Sequence, residues 1–207
     1  ILLNCSTLEY KYAPVVLNDH VILIINTNKR RDLAGSKYNE RRTQCEAALS
    51  DLQKERAIES LGELTIGEFD AFQHLIRDDI NRKRARHAVY ENARTLDALE
   101  KLREGDLIGF GKLMNESHLS LKHDYEVTGL ELDTIVETAW DQPGVLGARM
   151  TGAGFGGCAI AIVEKERADD VKKSIHAVYR EKVGYEPAFY TAEISDGAKE
   201  IEKGAFI

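Results

Sequence analysis

The sequence is poor in the residues that cross-link a small fold or interrupt regular structure. Its 207 residues include three cysteines, three prolines and one tryptophan. The cysteines are Cys5, Cys45 and Cys158, an odd number, widely spaced and outside any C-x-x-C pattern. That distribution argues against a disulfide framework and against a zinc site. We therefore expect a reducing, cytoplasmic compartment, with Cys45 and Cys158 as small core residues.

Long apolar runs are also missing. Runs such as Val21–Ile25 and Cys158–Val163 fall far short of the roughly 18 residues of a membrane span. The first residues lack the basic segment of a secretory signal. Because a natural terminus is usually polar and loosely held, a chain that begins without Met in the apolar run Ile1–Cys5 is interpreted as a fragment of a longer protein.

An excess of positive charge is lacking as well. The formal net charge is −7 and the isoelectric point is near 5.5, which argues against nucleic acid and anionic membrane surfaces as partners. One basic run, Arg82–Arg86, is interpreted as the solvated first turns of a helix. With 43% apolar and 30% charged residues, the composition is that of an ordinary soluble globular protein.

Glycine, by contrast, is concentrated in one stretch, Gly147–Glu164, which reads G-A-R-M-T-G-A-G-F-G-G-C-A-I-A-I-V-E. Gly152, Gly154 and Gly157 satisfy G-x-G-x-x-G, but a dinucleotide fold needs a helix after the glycines, and here the β-branched run Cys158–Val163 predicts a strand. No Gly-Lys-Ser/Thr closes a Walker A loop. We predict a strand, a glycine turn exposing backbone N–H groups, and a second strand.

The same glycines have a second interpretation. They would serve equally well in a tight hairpin, where they permit positive φ or close sheet packing without binding anything. Spacing alone does not decide between these two readings.

The remaining elements are predicted from apolar periodicity and capping residues. Ile1–Cys5 and Leu8–Tyr12 are predicted strands, the second half-buried, and Val21–Asn26 is a strand covered on both faces. Phe189–Ile194 is predicted as a last strand beside the glycine hairpin. Helices are predicted over Ser36–Lys54, from Thr65, over Asn81–Glu104, from Asp106 towards His118, from a capping box at Thr128 through Trp140, and over Arg167–Val183. This order points to an α+β domain.

Three ordered segments carry a family resemblance. Arg149–Cys158 resembles the third signature motif of the GHMP small-molecule kinases, in particular the galactokinases. Ser36–Arg42, with Cys45 following, is similar to their S-x-Y-N-x-R segment, and Leu113–Asp133 holds a third match. The resemblance implies that residues 1–207 form the C-terminal domain of a galactokinase, a mostly antiparallel sheet packed against several helices. The N-terminal domain that packs on it would be missing from this chain.

A resemblance to galactokinases implies a sugar kinase of galactose metabolism, a transferase that uses Mg²⁺ and ATP to phosphorylate the anomeric hydroxyl of α-D-galactose. Tyr38 would hydrogen-bond the sugar, although a tyrosine near a helix start most often only packs its ring. The loop glycines would lie near the phosphates; they are Gly152, Gly154, Gly156 and Gly157. The catalytic aspartate, the serine-rich phosphate loop and the magnesium ligand would all lie upstream, so this chain holds no catalytic or metal-binding residue and is expected to be inactive alone.

Two alternatives remain within the resemblance: an N-acetylgalactosamine kinase, and a catalytically silent galactose and ATP sensor that regulates transcription through a protein partner. Other chemistry finds little support. Ser117 and His118 are adjacent and lack the glycine elbow of a hydrolase, and His118 and His123 lack the spacing of a helical metal pair. Helical packing and capping explain these residues better.

Overall fold

The computed structural model describes residues 1–30 and 34–195, with side chains from residue 37 onward in the second range. The side chain of Ser36, the first residue of the S-x-Y-N-x-R segment, therefore lies outside the described part. The strands are β1 (Leu2–Leu3), β2 (Tyr10–Lys11), β3 (His20–Asn26), β4 (Val145–Thr151), β5 (Cys158–Glu164) and β6 (Ala188–Ala192). The helices are α1 (Ala34–Leu52), α2 (Ile66–Phe72), α3 (Asp79–Glu104), α4 (Leu107–Ser120), α5 (Leu130–Trp140) and α6 (Ala168–Val183).

Four of the strands form one antiparallel sheet in the order β4-β5-β3-β6. The mostly antiparallel sheet and the α+β class are confirmed. The prediction that the last strand lies beside the glycine hairpin was wrong. β5 has β4 on one edge and β3 on the other, so the last strand can pair only with the free edge of β3, and it does so from Ile22 to Asn26.

Helices cover both faces of this sheet. Val21, Leu23 and Ile25 alternate along β3 into a core shared with α5 and α6. Ile22, on the opposite face, packs instead with residues of α4 and β5. The apolar continuity of β3 is explained by this double cover, because a strand with one solvated face would alternate with polar residues.

A second apolar cluster joins α1, α2 and α3 away from the sheet. Its buried members are Ala48, Leu52, Leu61, Leu64, Phe69, Ile76, Ala85 and Val89. The predicted capping box at the start of α2 is confirmed, since the Thr65 hydroxyl accepts from the Glu68 amide and the Glu68 carboxylate accepts from the Thr65 amide. The capping box predicted at Thr128 was wrong: Gly129, at φ 86°, is the N-cap of α5.

The basic run at the start of α3 is only partly solvated: Lys83 and Arg86 are exposed as expected, whereas Arg82 and Arg84 are not. The Arg84 side chain is 3% exposed and is bound to Asp124 and Glu126. Arg82 donates to the carbonyl groups of Gln73 and Ile76. Charge pattern alone could not show this, because the acceptors come from segments that only the fold brings to α3.

The strands β1 and β2 form a separate two-stranded ribbon. Leu8, Tyr10 and Tyr12 were expected to be half-buried, but they are 72%, 59% and 70% exposed. Nothing among the described residues covers them. Within the described ranges, no helix combines the length and the apolar content that crossing a bilayer requires.

Candidate functional site

The glycine loop, residues 152–157, joins β4 to β5, which confirms the predicted strand, turn and strand. The loop is fixed to its surroundings at two points. The Phe155 amide donates to the Val127 carbonyl at 2.7 Å, and the Gly157 carbonyl accepts from the Thr27 amide at 2.8 Å. At Gly154, φ is +81° and an added Cβ would lie 2.2 Å from the Val127 oxygen. Only glycine fits this contact without displacing the backbone.

A cavity of about 100 Å³ lies beside this loop. Its lining residues come from three separate segments: Tyr38 and Arg41; Leu121, Tyr125 and Val127; and Gly152, Ala153 and Phe155. A complete small-molecule site usually has roughly 300 Å³ or more. By this measure the cavity is too small to be a complete small-molecule site by itself.

The structure brings two of the predicted site segments together here. Tyr38, 54% exposed, and Gly152 both line the cavity. Gly154 lies directly behind it against Val127. Gly156 and Gly157 do not line it; Gly156 lies against Lys29, and the Gly157 carbonyl accepts from Thr27.

Three basic side chains lie around the cavity and its loop, although the chain as a whole is acidic. The Lys37 ammonium lies 5.4 Å and the Arg41 guanidinium 5.9 Å from the centre of the Phe155 ring. Lys29, whose side chain lies under Gly156, pairs with Glu131 at 2.9 Å. Arg41 is likewise paired, with Glu40 at 2.8 Å. The case for an anionic ligand therefore rests on Lys37 and on the backbone N–H groups of the turn.

Reasoning from sequence missed Tyr125, Arg41 and Lys37 as site residues. Arg41 and Lys37 stand inside the S-x-Y-N-x-R segment, which was a usable signal. Tyr125 lies inside the third matching segment, Leu113–Asp133, but its place at the cavity depends on a turn of π-helix, Leu121–Tyr125, that apolar periodicity does not reveal. Such turns are frequent at functional sites.

Tyr125 connects the cavity to a buried histidine. Its ring stacks on His87 with centroids 4.5 Å apart, and its burial raises the pKa of the phenol to about 12. The His87 Nδ1 lies 2.9 Å from the Ser120 hydroxyl. Burial lowers the pKa of His87 to about 4, so this ring is neutral at pH 7.

The low pKa of His87 makes stability depend on pH. Between pH 7 and pH 5 the unfolded chain takes up a proton at His87, near its ordinary pKa of 6.5, while the folded chain does not. Acidification therefore favours unfolding, by about 2 kcal/mol over this range for a single such group. Between pH 7 and pH 5, we expect the free energy of unfolding of His87→Gln to fall by roughly 1–2 kcal/mol less than that of the parent chain.

The measurement is urea unfolding of each variant at pH 7 and pH 5. His74→Gln is the matched control, because His74 is exposed and hydrogen-bonds only within its own turn, to Ala71. Equal pH dependence in the parent chain and in His87→Gln would show that His87 does not carry this effect.

Ser117 and His118 have separate partners, so they do not form a catalytic pair. The Ser117 hydroxyl donates to Glu91. His118 is fully buried, and its Nδ1 accepts from the Met150 amide at 3.1 Å. Its Nε2 lies 3.3 Å from the Asp133 carboxylate. The interpretation of His118 as a packing residue is supported by this geometry, which ties α4 and α5 to β4.

Comparison with known proteins agrees with this architecture. Residues 98–181 match the family model "GHMP kinases C terminal". The galactokinase of Ligilactobacillus salivarius is 61% identical over 199 residues, which cover 96% of this chain and 51% of that protein. A galactokinase of Streptococcus thermophilus is 58% identical over 202 residues, covering 98% and 52%.

Along almost its whole length this chain matches galactokinases, and it carries the C-terminal domain of the GHMP kinases. A crystal structure of Lactococcus lactis galactokinase complexed with galactose superposes with a TM-score of 0.92 at 55% identity, and the match covers 96% of this chain and 51% of that one. The family resemblance and the C-terminal GHMP fold are thereby confirmed. The chain spans about half the length of the galactokinases it matches. The comparisons do not support the two alternatives, an N-acetylgalactosamine kinase and a silent sensor.

Proposed function

We propose that this chain is one wall of the active site of a cytoplasmic galactokinase, which transfers the γ-phosphoryl group of ATP to the anomeric hydroxyl of α-D-galactose. One observation carries the proposal: Tyr38 and the glycine loop line the same cavity, with Lys37 beside the loop residue Phe155. The chain's match to galactokinases identifies the ligands that such a cavity would serve.

Tyr38 is proposed to bind the sugar and the glycine loop to lie near the phosphates. The half-exposed phenol lines the cavity beside Arg41, within reach of a ligand entering from solvent. The loop is backed by Lys29 and flanked by Lys37, which fits the negative charge of a triphosphate. In phosphoryl transfer the protein mainly positions its substrates and stabilises charge.

Magnesium does not fit the residues described here. The described ranges contain no group of three or more His, Cys, Asp or Glu side chains placed to hold a metal ion. When bound, the ion would neutralise charge on the phosphates. We assign its ligands, the catalytic aspartate and the serine-rich phosphate loop to an N-terminal domain, since the related galactokinases are about twice as long as this chain.

The exposed ribbon of β1 and β2 supports packing of that domain on this one. Between the ribbon and α3 lies a groove of about 1090 Å³, lined in part by Leu3, Leu8, Tyr10 and Leu96. All four side chains are more than half exposed. A two-stranded ribbon is only marginally stable alone in water, and a contiguous apolar surface of this kind marks an interface.

Without that domain, the 207-residue chain is expected to show no kinase activity. The purified chain would be assayed for ADP release from Mg-ATP with and without galactose. The Ligilactobacillus salivarius galactokinase, treated identically, shows that the assay detects turnover. ADP release that depends on galactose and is proportional to the concentration of the isolated chain would contradict the assignment of the catalytic residues to an N-terminal domain.

Tyr38→Phe in the full-length enzyme should weaken galactose binding. Removing one hydrogen bond to a neutral hydroxyl costs about 0.5–1.5 kcal/mol, which corresponds to a roughly 2- to 12-fold rise in the dissociation constant. Calorimetric titration with galactose would measure it. Tyr190→Phe on β6 is the control, since Tyr190 is 57% exposed, as Tyr38 is 54%, and does not line the cavity. Unchanged affinity in Tyr38→Phe would remove Tyr38 from the sugar site.

A further inference from the structure

Three consecutive backbone carbonyl groups follow the end of α4 and have partners outside that helix. After Ser120 the chain makes a turn of π-helix, Leu121–Tyr125, and Glu126 then adopts a left-handed conformation at φ 54°. The last carbonyl groups of a helix lack partners within it. Here those of Asp124, Tyr125 and Glu126 accept hydrogen bonds from arginine side chains of two other helices.

Arg41, on α1, binds two of these carbonyl groups. Its Nε donates to Tyr125 at 2.7 Å and its Nη2 to Glu126 at 3.2 Å. The side chain is only 10% exposed. A cation at a helix C-terminus also interacts favourably with the helix dipole.

Arg84, on α3, binds the third carbonyl group. Its Nη1 donates to the Asp124 oxygen at 2.6 Å and its Nη2 to the Glu126 carboxylate at 2.8 Å. Its Nε donates to Gln44 Oε1 at 3.0 Å, and the same oxygen accepts from Arg41 at 3.1 Å. Because burying a guanidinium is costly unless its donors are satisfied, this 3% exposed side chain is held in one orientation by three acceptors.

The segment held by the two arginines leads directly to the glycine loop. Tyr125 lines the cavity. The next carbonyl group after Glu126, that of Val127, accepts from the Phe155 amide at 2.7 Å and packs against Gly154. A shift of residues 124–127 would therefore move one wall of the cavity and release the loop on the other side.

We infer that Arg84 is a positioning residue of the candidate site. It does not line the cavity itself; with Arg41 it fixes residues 124–127, and the Val127–Phe155 hydrogen bond transmits that position to the glycine loop. The consequence for galactose affinity rests on the proposed function, whereas the effect on the loop does not.

The test compares Arg84→Lys with Arg86→Lys in the 207-residue chain. Lysine keeps the charge but cannot reach three acceptors in the fixed fork of a guanidinium. Arg86, two positions along the same helix, binds only the Asp124 side chain at this segment. We expect NMR-detected exchange of the Phe155 amide to speed up roughly tenfold or more in Arg84→Lys and less than twofold in Arg86→Lys, because charge-assisted bonds are strong. Amides of β3 and β5 should keep their exchange rates.

A second pair keeps the inference testable if Arg84→Lys fails to fold. Arg41→Lys should also accelerate exchange at Phe155, whereas Arg42→Lys should not, since Arg42 is exposed and pairs with Glu46. Equal exchange at Phe155 in each variant and its control would overturn the inference. So would acceleration spread evenly over the sheet, which would indicate a general loss of stability.

Galactose titration of the full-length enzyme separates this inference from the proposed function. If the enzyme binds galactose, Arg84→Lys should weaken the affinity several-fold and Arg86→Lys should leave it unchanged. Absence of galactose binding in the parent enzyme would refute the proposed function while the exchange result still stands. Normal binding with unchanged exchange in Arg84→Lys would refute the positioning role alone.

Discussion

Gly111→Ala should destabilise the chain by about 3 kcal/mol, the upper end of the usual range for overpacking. Gly111 lies on the face of α4 that touches β4, and an added Cβ would be 2.2 Å from the Leu146 oxygen and 2.6 Å from its carbonyl carbon. At Gly147, likewise, an added Cβ would lie 2.2 Å from the Gly111 oxygen. Both obstructions are backbone atoms, so no side-chain rotation can relieve the clash. The urea concentration at the midpoint of unfolding should fall, while the slope of the unfolding free energy against urea concentration should stay the same.

Gly67→Ala is the matched control for this contact. Gly67 is also helical, in α2, but an added Cβ would meet nothing within 4 Å. Alanine there should stabilise the chain by about 0.5–1 kcal/mol, because it reduces the freedom of the unfolded chain. The two substitutions add the same methyl group and should have opposite signs. A Gly111→Ala chain as stable as the parent would mean that α4 lies farther from β4 than described.

Gly154→Ala should have an effect of similar size on the glycine loop. A left-handed conformation costs an alanine about 1–2 kcal/mol, and the contact at 2.2 Å with the Val127 oxygen adds roughly 1–3 kcal/mol. We expect the free energy of unfolding, measured in urea, to fall by about 3 kcal/mol. The Phe155 amide should lose its protection from exchange, since the loop must move away from Val127 to admit the methyl group.

Gly152→Ala separates the two contributions. Gly152 has nearly the same conformation, at φ +87°, but an added Cβ there would meet nothing within 4 Å. Only the conformational cost of about 1–2 kcal/mol should remain, and exchange at Phe155 should stay slow. Equal losses in the two variants would show that the Val127 contact contributes nothing to the stability of the loop.

Features set by neighbouring residues could be predicted from the sequence. Thr65 and Glu68 define a helix start by themselves, and clustered glycines before a β-branched run specify a turn and a strand. The meeting of Tyr38 with the glycine loop was suggested by family resemblance alone. Spacing offered no reason to join residues more than a hundred positions apart.

The predictions that were wrong concern residues whose partners are distant in the chain. The sequence marks Arg84 as one charge in a solvated run, because its acceptors at Asp124 and Glu126 are unrelated to it by any local pattern. Similarly, the position of β6 depends on which strand edge is free once β4 and β5 have paired. Burial of charge and choice of strand edge are decided by the assembled fold.

The central position of β3 has a consequence for synthesis of the protein. β3 pairs with β5 and β6, and Cys158, the first residue of β5, follows Asn26 by roughly 130 residues. At about 5–20 residues per second, the ribosome needs on the order of ten seconds to supply that partner. During this interval α1, α2 and α3 have already been synthesised and can pack together. The apolar strand β3, however, has no partner at either edge until β5 and β6 are made. Aggregation of nascent chains is therefore expected to begin at Val21–Ile25.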